Sequence, residues 1–103
     1  MVFRTVNIQK RSSGTNLQCC DYTFRFYIDG EHEKICNVMQ NTVRIFDSYK
    51  IYNGKCTILR EENEISVCIK NFPDRKKRKL EKDLKAFSDR LLEMTGTWYI
   101  FEI

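Results

Sequence analysis

The chain has 103 residues, 42% of them hydrophobic and 13% aromatic, with only 4 Gly and 1 Pro; this suits one hydrophobic core, leaves no room for a second domain and provides little for a disordered linker. Residues 1–103 are therefore expected to form a single α+β domain. The formal charge is +4, no run approaches the 20 or so apolar residues of a membrane span, and "MVFRTVNIQK" lacks the apolar stretch of a secretory signal, so an intracellular protein, cytoplasmic or nuclear and without a membrane partner, is expected. The cysteines Cys19, Cys20, Cys36, Cys56 and Cys68 are odd in number, and the last three sit inside apolar runs. Reduced thiols acting as small hydrophobes fit that compartment better than a disulfide scaffold.

In chain order, residues 2–9 mix β-branched and aromatic residues and read as a strand, and "KRSSGTN" over 10–16 reads as a loop. The clearest strand follows, with Tyr22, Phe24, Phe26 and Ile28 pointing one way and Thr23, Arg25 and Tyr27 the other, ended by Asp29-Gly30. Over 31–49, Ile35, Val38, Met39, Thr42, Phe46 and Tyr49 recur at spacings of mostly three and four, and Glu31 and Glu33 stand where a helix N-terminus favours acids. A helix is expected, against a competing pair of short strands, "KICNVM" and "TVRIF". Asn53-Gly54 signals a turn, and "KCTILRE" with "EISVCIKNF" reads as a hairpin around Glu62-Asn63. Pro73 is expected to open a long helix whose inner stripe is Leu80, Leu84, Phe87, Leu91 and Met94, with Gly96 as C-cap and "TWYIFEI" as the last strand.

The order ββαββαβ predicts an antiparallel sheet with both helices on one face. If the first strand is an added edge, residues 20–103 spell the ferredoxin-like βαββαβ. If 33–49 are strands, the chain becomes a β-roll with one C-terminal helix, as in pleckstrin-homology-like domains.

Catalytic motifs are lacking. No glycine-rich phosphate loop and no G-x-S-x-G elbow occurs, and Glu61, Glu62 and Glu64 cluster at an exposed turn. His32 and Cys36, four apart, could share a helix face with Cys19 or Cys20 nearby, but no second metal-type pair supports zinc. Neither an enzyme, a metal nor a cofactor is expected.

Residues 74–85 hold Arg75, Lys76, Lys77, Arg78, Lys79, Lys82 and Lys85 against Asp74, Glu81 and Asp83, which accounts for the whole net charge. Cations in the first turn of a helix are unfavourable by about 0.3–1 kcal/mol each, so an anionic partner is the natural use for them. Arg75, Arg78, Lys79, Lys82 and Lys85 fall opposite the apolar stripe at 100° per residue; together with Lys76 they are the expected basic binding residues. In the last strand, Trp98 and Ile100 face one way and Tyr99, Phe101 and Ile103 the other, so both faces are apolar. At a sheet edge such a strand needs covering, by another protein or a second copy. The expected function is a non-enzymatic protein-interaction or assembly domain, a homo-oligomer or subunit of a complex. It acts through a sheet edge carrying Trp98, Tyr99, Phe101 and Ile103, and through the basic helix face. The alternative is a nucleic-acid-binding module using residues 75–85, with Arg25 and Tyr27 as a stacking surface if the outer face of their strand is open.

Overall fold

Strict alternation defines the longest strand: Cys20, Tyr22, Phe24 and Phe26 are buried while Thr23, Arg25 and Tyr27 are exposed. The computed structural model describes residues 1–14, 16–52 and 55–103; the expected Asn53-Gly54 turn lies outside the described residues. The elements are β1 (Val2–Asn7), β2 (Gln9–Ser13), β3 (Asn16–Tyr27), α1 (His32–Phe46) with a 3-10 turn at Asp47–Tyr52, β4 (Cys56–Glu61), β5 (Glu64–Pro73), a 3-10 turn at Asp74–Lys76, α2 (Lys77–Thr95) and β6 (Thr97–Glu102). This is a small α+β fold with two helices and strands paired both parallel and antiparallel.

Residues 32–46 are helical because Ile35, Val38, Thr42 and Phe46 form one buried stripe. Thr42 donates its hydroxyl to the Val38 carbonyl at 2.8 Å, which removes the polar cost of burying it. The one-helix β-roll therefore does not form. Asn63 locks the hairpin against the entry to α1, donating from Nδ2 to the Ile28 carbonyl at 2.8 Å.

Pro73 does not open the second helix. Its ψ of 132° is extended, it pairs with Cys19 at the end of β5, and α2 begins only at Lys77. Gly96 caps that helix as expected: its φ of 74° is a left-handed conformation that glycine adopts without a Cβ penalty, and its N–H bonds to the Leu92 carbonyl at 2.9 Å.

The expected loop at 10–16 is also corrected, since Gln9–Ser13 form β2 along the edge of β3. Only one residue of β2, Ser13, is buried, and its hydroxyl donates to Asp21 at 2.6 Å; an edge strand of polar residues lacks the apolar alternation by which strands are recognised. Asp21 also accepts the Asn71 N–H at 2.9 Å across a bulge in the β3–β5 ladder. Burial pushes its carboxyl up, but these two hydrogen bonds, with Lys70 and Arg11 nearby, outweigh that and hold it below the ordinary 3.8.

One sheet runs β2-β3-β5-β4, all antiparallel, while β6 pairs with β1 in parallel, Val2 opposite Thr97 through Asn7 opposite Glu102. The sheet is thus not wholly antiparallel. Residues 16–102 do follow the βαββαβ order, but the last strand lies against β1 and not against β3, the pairing that a ferredoxin-like sheet requires. The segment β1–Ile8–β2 supplies a closer partner for both.

Both helices cover the same side of β3 and β5. At the centre Phe87 of α2 meets Phe46 at 5.3 Å and 90°, Phe26 at 5.5 Å and Phe101 at 5.6 Å between ring centroids, mostly the edge-to-face geometry that aromatic quadrupoles favour. Because Phe87 joins α1, β3, β6 and its own helix, Phe87→Ala is expected to lower unfolding free energy by about 3–5 kcal/mol, read as a fall in urea midpoint at unchanged m-value.

A groove between the last strand and the second helix

The tight Gly96 turn sends β6 back along α2, so the two elements run antiparallel as neighbours. Along a strand, successive peptide groups point to alternate edges. Glu102 turns its carbonyl toward β1, where it accepts the Ile8 N–H at 2.6 Å, whereas Tyr99 turns its carbonyl toward α2, where Ser88 donates its hydroxyl. Trp98, Ile100 and Glu102 thus serve the ladder with β1, and the peptide groups of Thr97, Tyr99 and Phe101 point away from it. The Thr97 N–H is taken by Thr95 Oγ1 at 3.1 Å. Among the described residues β6 has no other strand beside it, so the Tyr99 N–H and both backbone groups of Phe101 form an open strand edge.

That edge lies along a groove of about 680 Å³. Its apolar lining is Leu84, Trp98, Ile100, Phe101 and Ile103, and its helical wall carries Lys77, Glu81, Lys85 and Asp89. Trp98 is 41% and Ile103 45% exposed. Beyond the groove Trp98 packs its ring 5.5 Å from Phe3, itself 57% exposed, extending the apolar surface onto β1.

The structure divides the expected site residues. Trp98, Phe101 and Ile103 line the groove together, but the Tyr99 side chain is only 1% exposed. Its hydroxyl donates to the Tyr27 carbonyl at 2.5 Å, pinning β6 across the end of β3; toward a partner Tyr99 offers backbone alone. Lys85 reaches the groove. Lys79 turns to the other flank of α2, where its ammonium lies 2.7 Å from Asp83 and 4.6 Å from the centre of the Tyr49 ring, while the Tyr49 hydroxyl donates to the same carboxylate at 2.5 Å. Arg75 and Lys76 are exposed on the 3-10 turn, and Arg78 and Lys82 are exposed on the outer side of the helix. The cationic run is split over three directions instead of forming one face. Lys77, Glu81 and Asp89 join the groove without standing out in the sequence, their only signal being the four-residue spacing of 77, 81, 85 and 89 with alternating sign.

His32 and Cys36 do converge, at 3.3 Å between Nε2 and Sγ, but their third neighbour is a cation: Arg60 places Nη1 3.2 Å from Sγ and Nη2 3.0 Å from Nδ1. Since guanidinium only donates, Nδ1 accepts, and the ring proton sits on Nε2 facing sulfur. Among the described residues no group of three metal-ligating side chains forms. All five cysteines are unpaired. The outer face of β3 is open at Arg25 and Tyr27, on the opposite side of the sheet from α2. No helix among the described residues is long and apolar enough to cross a membrane.

Neither a protein-family model nor a curated protein matches this chain.

Burial pushes the Tyr99 hydroxyl up to about 12, Arg4 pulling it down and Asp29 pushing it up further, and burial does the same at Tyr22. A phenol that keeps its proton longer in the folded state contributes stability that is whole below its ordinary value near 10 and is lost as pH rises toward 12. In an alkaline absorbance titration, two tyrosines are expected to ionise late. Tyr99→Phe should remove one of them and cost about 1 kcal/mol of stability at neutral pH through the lost hydrogen bond to Tyr27.

Proposed function

We propose that this chain is a non-enzymatic protein-interaction domain that binds an extended segment of another protein as an added strand on β6, in the groove against α2. The observation that carries the reading is the open edge at Tyr99 and Phe101 lying in a groove with an apolar lining. Strand addition draws affinity from main-chain hydrogen bonds and specificity from alternate side chains, and both kinds of contact are available here. The open groups, from the Tyr99 N–H to the Phe101 carbonyl, lie within three residues of β6, about 10 Å at roughly 3.3 Å per residue, enough to set the register of a short extended segment. Edge strands are usually blunted with lysine, proline or a bulge. The sequence of β6, TWYIFE, carries none of the three residue-level or register devices and pairs with β1 without a shift. The polar groups lining the groove are lysines, carboxylates and a serine engaged with Tyr99, with no nucleophile set beside a base.

A second reading, nucleic-acid binding, draws support from Arg75, Lys76, Arg78 and Lys82, which are exposed and make no ion pair among the described residues. It has no continuous cationic face, and the Arg25 and Tyr27 surface lies across the sheet from α2, so one strand could not meet both.

Selection from a displayed random-peptide library against the whole chain tests the first reading. Retained peptides should slow hydrogen exchange at the Tyr99 and Phe101 amides and leave those of Trp98, Ile100 and Glu102, already in the ladder, little changed. Trp98→Ala should weaken binding about tenfold, the cost of a truncated aromatic contact. Protection confined to another surface, or binding only of nucleic acid with a steep salt dependence, would overturn it. A mass that doubles with concentration and returns to the monomer when peptide is added would assign the same edge to a second copy.

A further inference from the structure

Away from the groove, Cys36 sits on the second turn of α1, partly exposed, with its sulfur between two nitrogen donors. Arg60 reaches across from β4 and engages both other members of the cluster: Nη1 lies 3.2 Å from Sγ and Nη2 3.0 Å from His32 Nδ1, while His32 Nε2 stands 3.3 Å from the same sulfur. A further bond from Arg60 Nε to the Glu62 carbonyl, at 2.8 Å, fixes the guanidinium to the hairpin turn. With Nδ1 accepting from the guanidinium, His32 also presents an N–H to sulfur, so two donors converge on Cys36 and one of them is a permanent cation. This arrangement suits a sulfur that carries negative charge, because charge-assisted hydrogen bonds are the stronger kind and the thiolate is the nucleophilic form of cysteine. The other thiols lack it. Cys20 and Cys56 are buried, and burial pushes both thiols up, Cys56 to about 11. Cys68 shares a pocket with Arg11 and Lys70, but among the described residues its sulfur accepts only the Thr23 hydroxyl, at 3.6 Å. Cys19 is partly exposed, and no such pair of donors meets it among the described residues.

We propose that Cys36 is a site of oxidation by a small uncharged peroxide, with Arg60 and His32 as positioning residues that steady the charge on the attacking sulfur. The thiol proton leaves to solvent, and the sulfur's electron pair attacks one peroxide oxygen. The S–O bond forms as the O–O bond breaks, and the departing hydroxide takes up a solvent proton and leaves as water. Sulfur thus loses two electrons to the peroxide and becomes a sulfenic acid, the reversible first stage of cysteine oxidation. An uncharged oxidant fits the surroundings: the exposed carboxylates of Glu31, Glu33, Glu61 and Glu62 stand within two residues of His32 or Arg60 and disfavour an anionic disulfide.

The whole chain, reduced and then freed of reductant, is treated with hydrogen peroxide at neutral pH beside a 1,3-diketone that traps sulfenic acid, and the trapped cysteines are located by peptide mass spectrometry. Cys36 is expected to be trapped about tenfold faster than Cys19 or Cys68, the factor that one charge-assisted hydrogen bond contributes. Arg60→Gln should bring Cys36 down to the rate of those two without moving theirs, and His32→Ala should slow it by a smaller factor. Cys19 and Cys68 lie on β3 and β5, so they serve as internal reporters of loosening. If Arg60→Gln speeds them as well, the fold has opened, and His32→Ala, at the exposed start of α1, decides by the same readout. Equal trapping of the three thiols in the parent chain, or faster trapping at Cys19 or Cys68, would overturn the assignment. A Cys36 rate unmoved by both substitutions would do so too.

Discussion

The hydrogen bond from the Ile8 N–H to the Glu102 carbonyl marks the place where one strand changes partners, and the rest of the architecture depends on that change. Before it the chain pairs in parallel with β6; after it the chain pairs antiparallel with β3. Because β1 occupies one edge of β6, the other edge is turned toward α2, with no strand beside it among the described residues. Had β6 paired directly with β3, it would have been the same edge strand, but the exposed Phe3 and Trp98 pair would not exist and the apolar surface would end at the groove.

Two hydroxyl groups hold this edge strand in place. Tyr99 donates to Tyr27 beneath the sheet end, and Ser88 of α2 donates to Tyr99 from the opposite side. The strand is thereby tied to both layers at one residue, while the peptide groups of Phe101 beyond it have neither ladder nor helix to bond among the described residues. In the proposed strand addition, a pinned edge lowers the cost of ordering the receiving side.

The cations at the start of α2 also take their meaning from neighbours. The first turn is not relieved by a side-chain cap or an acid, so the unfavourable dipole interaction is real. Its components are separated in space: Lys79 is neutralised by Asp83 and rests over Tyr49, and Lys77 and Lys85 alternate with Glu81 and Asp89 along the groove. What looks in the sequence like one basic block is split between an ion pair, the groove wall and the exposed Arg75, Lys76, Arg78 and Lys82.

The sequence by itself determined the elements whose side chains obey one period. The alternation of Tyr22, Phe24 and Phe26 defined β3, the stripes from Ile35 to Phe46 and from Leu80 to Met94 defined the two helices, and Gly96 marked the second helix's end, because burial on one face leaves a repeat in the chain. It also marked Trp98, Tyr99, Phe101 and Ile103 as apolar positions spread over both faces of the last strand. Periodicity carries no information about which strand edge meets which, so only the tertiary structure decided that β6 joins β1, that polar residues 9–13 form β2, and that Tyr99 turns inward. The groove arises the same way: Lys77, Glu81, Lys85 and Asp89 are ordinary surface charges until the return of the chain at Gly96 lays an open strand edge beside them, and a site made by that juxtaposition has no signature within either element alone.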